Sequence, residues 1–235
     1  MTASLGRRAV AEGVGTGLLV AVVVGSGIAA DRLAPDAPAV VLLANSVATA
    51  GGLLALIAAF GAISGAHLNP VVTGAARLLG RISTREAFAY IAAQFGGGVA
   101  GVVVANTMFD LAPVALSTTQ RSSGGLWLGE TVATFGLVVV IFTIVAAGRA
   151  SMVPYAVAGY IGAGYWFASS TSFVNPAVTV ARTLTDTFTG IAPASVPAFL
   201  AAQVVGGLAA VGLVRYLYPA LRSRPVTALD RPDAE

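Results

Sequence analysis

The sequence predicts an all-α membrane protein with six transmembrane helices plus two re-entrant half-helices, arranged as inverted three-span repeats. Three observations predict it. The 235 residues are 57% hydrophobic and only 10% charged, with a mean hydropathy of +0.86, too few polar residues to cover a soluble surface. Six apolar runs approach or exceed the roughly 20 residues that a bilayer-spanning helix needs. Finally, a polar Asn-Pro step occurs twice inside strongly apolar sequence, as Ser64-Gly65-Ala66-His67-Leu68-Asn69-Pro70-Val71-Val72-Thr73 and as Ser172-Phe173-Val174-Asn175-Pro176-Ala177-Val178-Thr179.

The elements follow in order. The first span covers residues 9–30; Asp31, Arg32, Pro35, Asp36 and Pro38 mark the turn after it. Arg7-Arg8 before an apolar run resembles a signal peptide, but this run is too long for one and carries Glu12, so it is read as a retained span. The second span covers 39–62 and stops just before the first Asn-Pro step. Asn is a preferred N-cap and Pro a preferred first helical residue, so Asn69-Pro70 starts a helix. Its apolar run ends near residue 80, and about ten residues cover only about 15 Å, half the hydrocarbon thickness. Spans follow at 85–107, 126–147 and 152–168. The second half-helix, 175–185, begins at Asn175-Pro176, and the last span covers 194–218. Polar residues with Asp110 and Pro113 make 108–124 a linking loop, and the polar tail 219–235 is expected to be disordered.

Self-comparison divides the chain into a first repeat, 1–107, and a second, 125–218. Glu12-Gly13-Val14-Gly15-Thr16 corresponds to Glu130-Thr131-Val132-Ala133-Thr134, the Asn-Pro stretches to each other, and Ala92-Ala93-Gln94 to Ala201-Ala202-Gln203. Three spans per repeat is odd, so the second copy is inverted and the two half-helix N-termini meet near the midplane. Arg7, Arg8, Arg77, Arg81, Arg85, Arg149, Arg222 and Arg224 fall on one side, against Arg32 and Arg121 on the other. The positive-inside rule then predicts cytoplasmic termini, with the second Asn-Pro loop entering from outside.

Other classes lack their residues. All 13 basic residues are Arg, none in a basic run interleaved with aromatics, so no nucleic-acid partner is expected. With no Cys and a lone His67, neither a metal site nor thiol chemistry is expected. No nucleophile–base set or phosphate-binding loop supports an enzyme, and no cofactor is expected.

On these motifs the chain resembles the aquaporin and glycerol-facilitator family across residues 9–218. Ser-Gly-Ala-His-Leu-Asn-Pro in the first loop, an Asn-Pro step in each half and a Glu in spans one and four carry the resemblance. It implies a passive, multi-pass channel of the plasma (inner) membrane, homotetrameric with one pore per subunit, passing water and small uncharged solutes. Asn69 and Asn175 would offer side-chain amides to solute oxygens, beside Pro70 and Pro176. Paired positive helix ends would oppose cations and interrupt proton hopping.

Site readings follow from burial rules and from the family pattern. Glu12 and Glu130 are intramembrane carboxylates, expected to accept hydrogen bonds from loop amides rather than to relay protons. His67 is expected to be a buried imidazole bonded to loop carbonyls. Gly13/Gly17 and Gly97/Gly101 are small-residue pairs for close helix approach. By family spacing the selectivity filter is Thr49, Ala163, Ser172 and Val178. Many relatives place Arg where Val178 stands, so this ring would be wider and less cationic. Together with Tyr165-Trp166-Phe167, the second motif resembles the Val-filter aquaglyceroporin-like channels of bacterial arsenic resistance, which implies glycerol, urea or neutral metalloid hydroxides such as arsenite. Arg182, one turn beyond Val178, is read as a vestibule or structural residue paired with Asp186 rather than part of the constriction. Two alternatives stay open: a water-selective aquaporin, and a coupled secondary transporter, against which the scarcity of intramembrane charge argues.

Overall fold

The computed structural model describes residues 3–219. Among them are eight α-helices: α1 Leu5–Leu33, α2 Pro38–Ser64, α3 Pro70–Leu78, α4 Thr84–Met108, α5 Gly124–Ala146, α6 Val153–Phe167, α7 Pro176–Ala181 and α8 Val196–Leu217. Of the expected tail, 219–235, residues 220–235 lie outside the described residues.

Local chemistry sets the boundaries. Ser83 and Glu86 form a capping box at the start of α4, and Ser123 caps α5. Pro38, Pro70 and Pro176 open their helices, where a missing N–H costs nothing. Gly65, at φ 90°, closes α2 in the left-handed conformation that a residue with a Cβ resists. α6 is the shortest full crossing at 15 residues, about 22 Å of rise, and a 3-10 turn at Ala150–Met152 leads into it. The other five long helices are each long and apolar enough to span a membrane. α7 is shorter than the sequence suggests: its α-geometry ends at Ala181 and a 3-10 turn, Arg182–Leu184, completes the half-span.

The packing repeats itself. α1 lies against α4 as α5 lies against α8, α1 meets α2 as α5 meets α6, and α3 and α7 touch each other. Glycine permits the tightest of these approaches, since a Cβ on Gly97 would overlap the Gly13 carbonyl oxygen and one on Gly101 that of Gly17. At the equivalent crossing, a Cβ on Gly206 would overlap the Thr131 carbonyl oxygen. Large apolar side chains such as Val14, Leu18, Val47 and Leu208 remain exposed, as a surface solvated by lipid tails requires.

Six crossings put the start of α1 and the end of α8 on one side. There Arg8 pairs with Glu86 at 2.6 Å, and Arg215 donates to the Leu78 carbonyl at the end of α3. On the opposite side the loop between α4 and α5 runs along the segment after α7. Ala115 N–H donates to the Leu184 carbonyl (3.1 Å), Ser117 N–H to that of Thr183 (2.9 Å), and Ala192 N–H to that of Thr119 (2.7 Å).

Candidate functional site

The centre is built from two loops that precede the half-helices. In the first, Ala66 and Leu68 take φ of 45° and 49°; in the second, Ser172 and Val174 take 56° and 46°. Residues with a Cβ cost about 1–3 kcal/mol each in this region and persist only where their surroundings hold them. Here the alternation turns successive N–H groups toward one carboxylate. Glu12 accepts from Ser64 Oγ (2.6 Å), His67 N (2.9 Å), Leu68 N (2.7 Å) and Gln94 Nε2 (2.8 Å). Glu130 accepts from Ser170 Oγ (2.7 Å), Phe173 N (2.8 Å), Val174 N (2.9 Å) and Gln203 Nε2 (2.7 Å). Both carboxylates are fully buried, with four donors apiece.

Each Gln also donates from Nε2 to the half-helix threonine, Thr73 or Thr179, at 2.9 Å. Gln94 and Gln203 served in the sequence only as markers of the repeat. Their signal as site residues was present: a polar side chain at matching depth in two apolar spans.

Asn69 Oδ1 caps the Val71 N–H at 2.9 Å, and Asn175 Oδ1 caps those of Ala177 (3.0 Å) and Val178 (3.3 Å). Their amides cross over. Asn69 Nδ2 donates to the Val174 carbonyl and Asn175 Nδ2 to the Leu68 carbonyl, both at 2.8 Å. One hydrogen of each amide thus ties the loops together and the other remains available. Pro70 and Pro176 are buried directly behind them. The carbonyls of Ala66, His67, Ser172 and Phe173 accept no hydrogen bond from the described residues.

The remaining expected residues divide. Thr49 is buried with Oγ1 2.9 Å from the Tyr165 hydroxyl, and Val178 and Ser172 are each 5% exposed. Ser172 Oγ is buried without a hydrogen-bond partner among the described residues. Ala163 departs from the expectation: it is exposed. The buried face of α6 runs through Val157, Ile161, Gly164 and Tyr165, and at 100° per residue Ala163 points the opposite way. Gly164, one residue on, faces Ser172 so closely that a Cβ there would lie 2.6 Å from its Oγ.

His67 is half-buried rather than buried, and its partner is the Thr73 hydroxyl (Nδ1 to Oγ1, 3.1 Å) rather than a loop carbonyl. Its ring meets Tyr90 edge-on, with centroids 5.4 Å apart. Arg182 does not pair with Asp186, whose Oδ1 instead accepts from Thr118 N (2.9 Å) and Oγ1 (3.1 Å). The Arg182 guanidinium stacks 3.5 Å from the centroid of Phe173, and Arg121 sits over the same ring at 5.2 Å. Burial pulls the Arg121 guanidinium below the ordinary arginine value, and the Glu130 carboxylate opposes that shift. No cluster of His, Cys, Asp and Glu suited to a metal ion occurs among the described residues.

Six crossing helices, two opposed half-helices and a midplane of amides and carbonyls define a multi-pass membrane channel for water and small neutral solutes, passive in kind. The chain matches the family model described as major intrinsic protein over residues 1–169 and 155–233, and it belongs to that family. It is 46% identical to aquaglyceroporin AqpS of Rhizobium meliloti (strain 1021) over 97% of both chains. It is 31% identical to aquaporin NIP2-3 of Zea mays over 98% of this chain and 75% of that one. The X-ray structure of the aquaglyceroporin from Plasmodium falciparum superimposes with a TM-score of 0.71 at 20% identity, covering 93% of this chain and 99% of that one, and so shares its fold.

Proposed function

We propose that this channel passes glycerol and neutral metalloid hydroxides such as arsenite as well as water, each down its own gradient and without making or breaking bonds. The observation that carries the reading is Val178. It directly follows Asn175-Pro176-Ala177, is 5% exposed, and brings an aliphatic side chain where many relatives carry a guanidinium. With Thr49, Ser172 and Gly164 it gives a constriction of small side chains, wider than one closed by Arg and a bulky partner. That the Rhizobium meliloti relative is an aquaglyceroporin supports the same reading.

Further along the path, the free amide hydrogens of Asn69 and Asn175 and the unpartnered loop carbonyls supply donors and acceptors in turn. A hydroxyl-bearing solute exchanges them for its hydration shell. The repeats, 1–107 and 125–218, each contribute half of this path. The assembly is a homotetramer with one pore per subunit, in the plasma (inner) membrane with both termini cytoplasmic; the excess of Arg on the termini side supports that orientation.

Stopped-flow measurements on proteoliposomes test the proposal. Glycerol and arsenite are expected to enter faster than into protein-free vesicles. Facilitated water flux with both solutes at the protein-free rate would leave a water-selective channel instead.

A further inference from the structure

We propose that Arg182 supplies the constriction with the cationic hydrogen-bond donor that Val178 does not, acting from one turn farther along the half-span with the hydroxyls of Ser172 and Tyr165. This deepens the channel reading above and rests on it.

Arg182 is only 5% exposed, and an isolated buried guanidinium is costly unless its donors are met. Its Nε donates to the Thr189 carbonyl and its face lies on Phe173, which fixes the plane of the group. Among the described residues that bond from Nε is the only one the Arg182 side chain makes, and its two terminal nitrogens have no acceptor there. Buried polar groups are as a rule hydrogen-bonded, and a guanidinium has five N–H donors to satisfy. This one has one edge anchored and the other unpaired, and Asp186, the nearby carboxylate in sequence, is already bonded to Thr118.

Two further groups point to the same place. Ser172 precedes the ring on which Arg182 stacks, and its buried Oγ has no partner. Tyr165 directly follows Gly164, the residue that faces Ser172, and is buried with its hydroxyl bonded to that of Thr49. An unpaired guanidinium edge, an orphan hydroxyl and a phenol therefore share one region beside Val178. Their chemistry suits an uncharged solute with two or more hydroxyls, whose oxygens accept hydrogen bonds from Arg182 and whose O–H groups donate to Ser172 or Tyr165. The fixed charge meanwhile repels cations from a pore whose side chains are otherwise small.

The test compares Arg182→Gln, Arg182→Lys and the double variant Val178→Arg/Arg182→Gln, full-length in proteoliposomes, reading glycerol and water flux and the leak of protons and sodium. In Arg182→Gln the cation leak is expected to rise about tenfold, since the lost charge adds at least that factor to a cation's barrier. Arg182→Lys keeps the charge and is expected to stay tight; the double variant returns a guanidinium and is expected to regain tightness. An Arg182→Gln channel as tight as the parent at equal water flux would overturn the proposal. A leak shared by Arg182→Lys and uncorrected by Val178→Arg would also overturn it, because it marks a bracing role. Should Arg182→Gln not insert, Ser172→Ala and Tyr165→Phe carry the test. Each is expected to lower the glycerol-to-water ratio about fivefold, the worth of one hydrogen bond, and an unchanged ratio in both would overturn it. Parent protein without facilitated flux of any solute contradicts the channel reading itself, a result separate from these.

Discussion

The two half-spans share a scaffold and differ in what they present to the path. Behind each, a buried Glu, a Ser, a Gln and a Thr hold one strained loop, in contacts that match to within a few tenths of an ångström. In front they diverge. His67 in the first loop bonds to Thr73, whereas Phe173 at the equivalent place carries Arg182 and Arg121 on its ring, and Thr179 turns its hydroxyl back to the Asn175 carbonyl (2.8 Å). Matching parts answer to folding, because a buried carboxylate and a line of loop amides satisfy only each other. The parts that differ lie outside this shared set of contacts, and there the halves are free to specialise.

The largest expected effect lies in the matched scaffold. Glu12→Leu and Glu130→Leu each strand four buried donors and are each expected to cost at least 3–5 kcal/mol, on the order of removing one partner of a buried charged network. Both variants are expected to give little folded protein in detergent, read by size exclusion and thermal melting. A stable Glu130→Leu beside a failed Glu12→Leu would break the equivalence of the halves.

Next come the close crossings. Gly97→Ala and Gly206→Ala insert a methyl group where a carbonyl oxygen already sits, for an expected loss of about 1–3 kcal/mol each. Gly96→Ala meets open space and is expected to be neutral. Melting temperatures of the three variants check the order, and a destabilised Gly96→Ala would undo it.

A smaller effect is expected in front. His67→Phe removes one hydrogen bond and keeps a ring against Tyr90, an expected loss of about 1 kcal/mol. Phe173→His weakens the platform under Arg182, so it is expected to change solute selectivity more than stability. Melting and flux on the same samples separate the two, and equal selectivity shifts from both would blur the division.

The fold was legible because it rests on signals that need no tertiary knowledge: apolar run length, Asn-Pro caps and an odd number of spans per repeat. The helices begin and end within a few residues of the sequence boundaries, apart from α7, whose α-geometry gives way to a 3-10 turn. The site was legible in part. Motif spacing put Asn69 and Asn175 at the starts of the half-helices, which they cap, and Val178 in the first turn of the second. On α6, where one residue rotates a side chain by 100°, spacing named Ala163, which is exposed, while its neighbour Gly164 is the one that faces Ser172. Nor could it find the partner of Arg182. Which ring or carboxylate a long side chain meets depends on loops 109–123 and 185–192, which have no periodicity to read.

In the proposed channel, a scaffold shared by both halves holds a passive pore, and Val178 keeps it open to solutes larger than water. Glycerol and water permeability of the parent and Val178→Arg, side by side in proteoliposomes across a range of gradients, tests it most directly. Glycerol flux is expected to be linear in its gradient for the parent, and for the variant the glycerol-to-water ratio is expected to fall about tenfold or more, a barrier change of ~1.4 kcal/mol, with water flux retained. Saturable parent flux coupled to an ion gradient, or a ratio that the substitution leaves untouched, would contradict it.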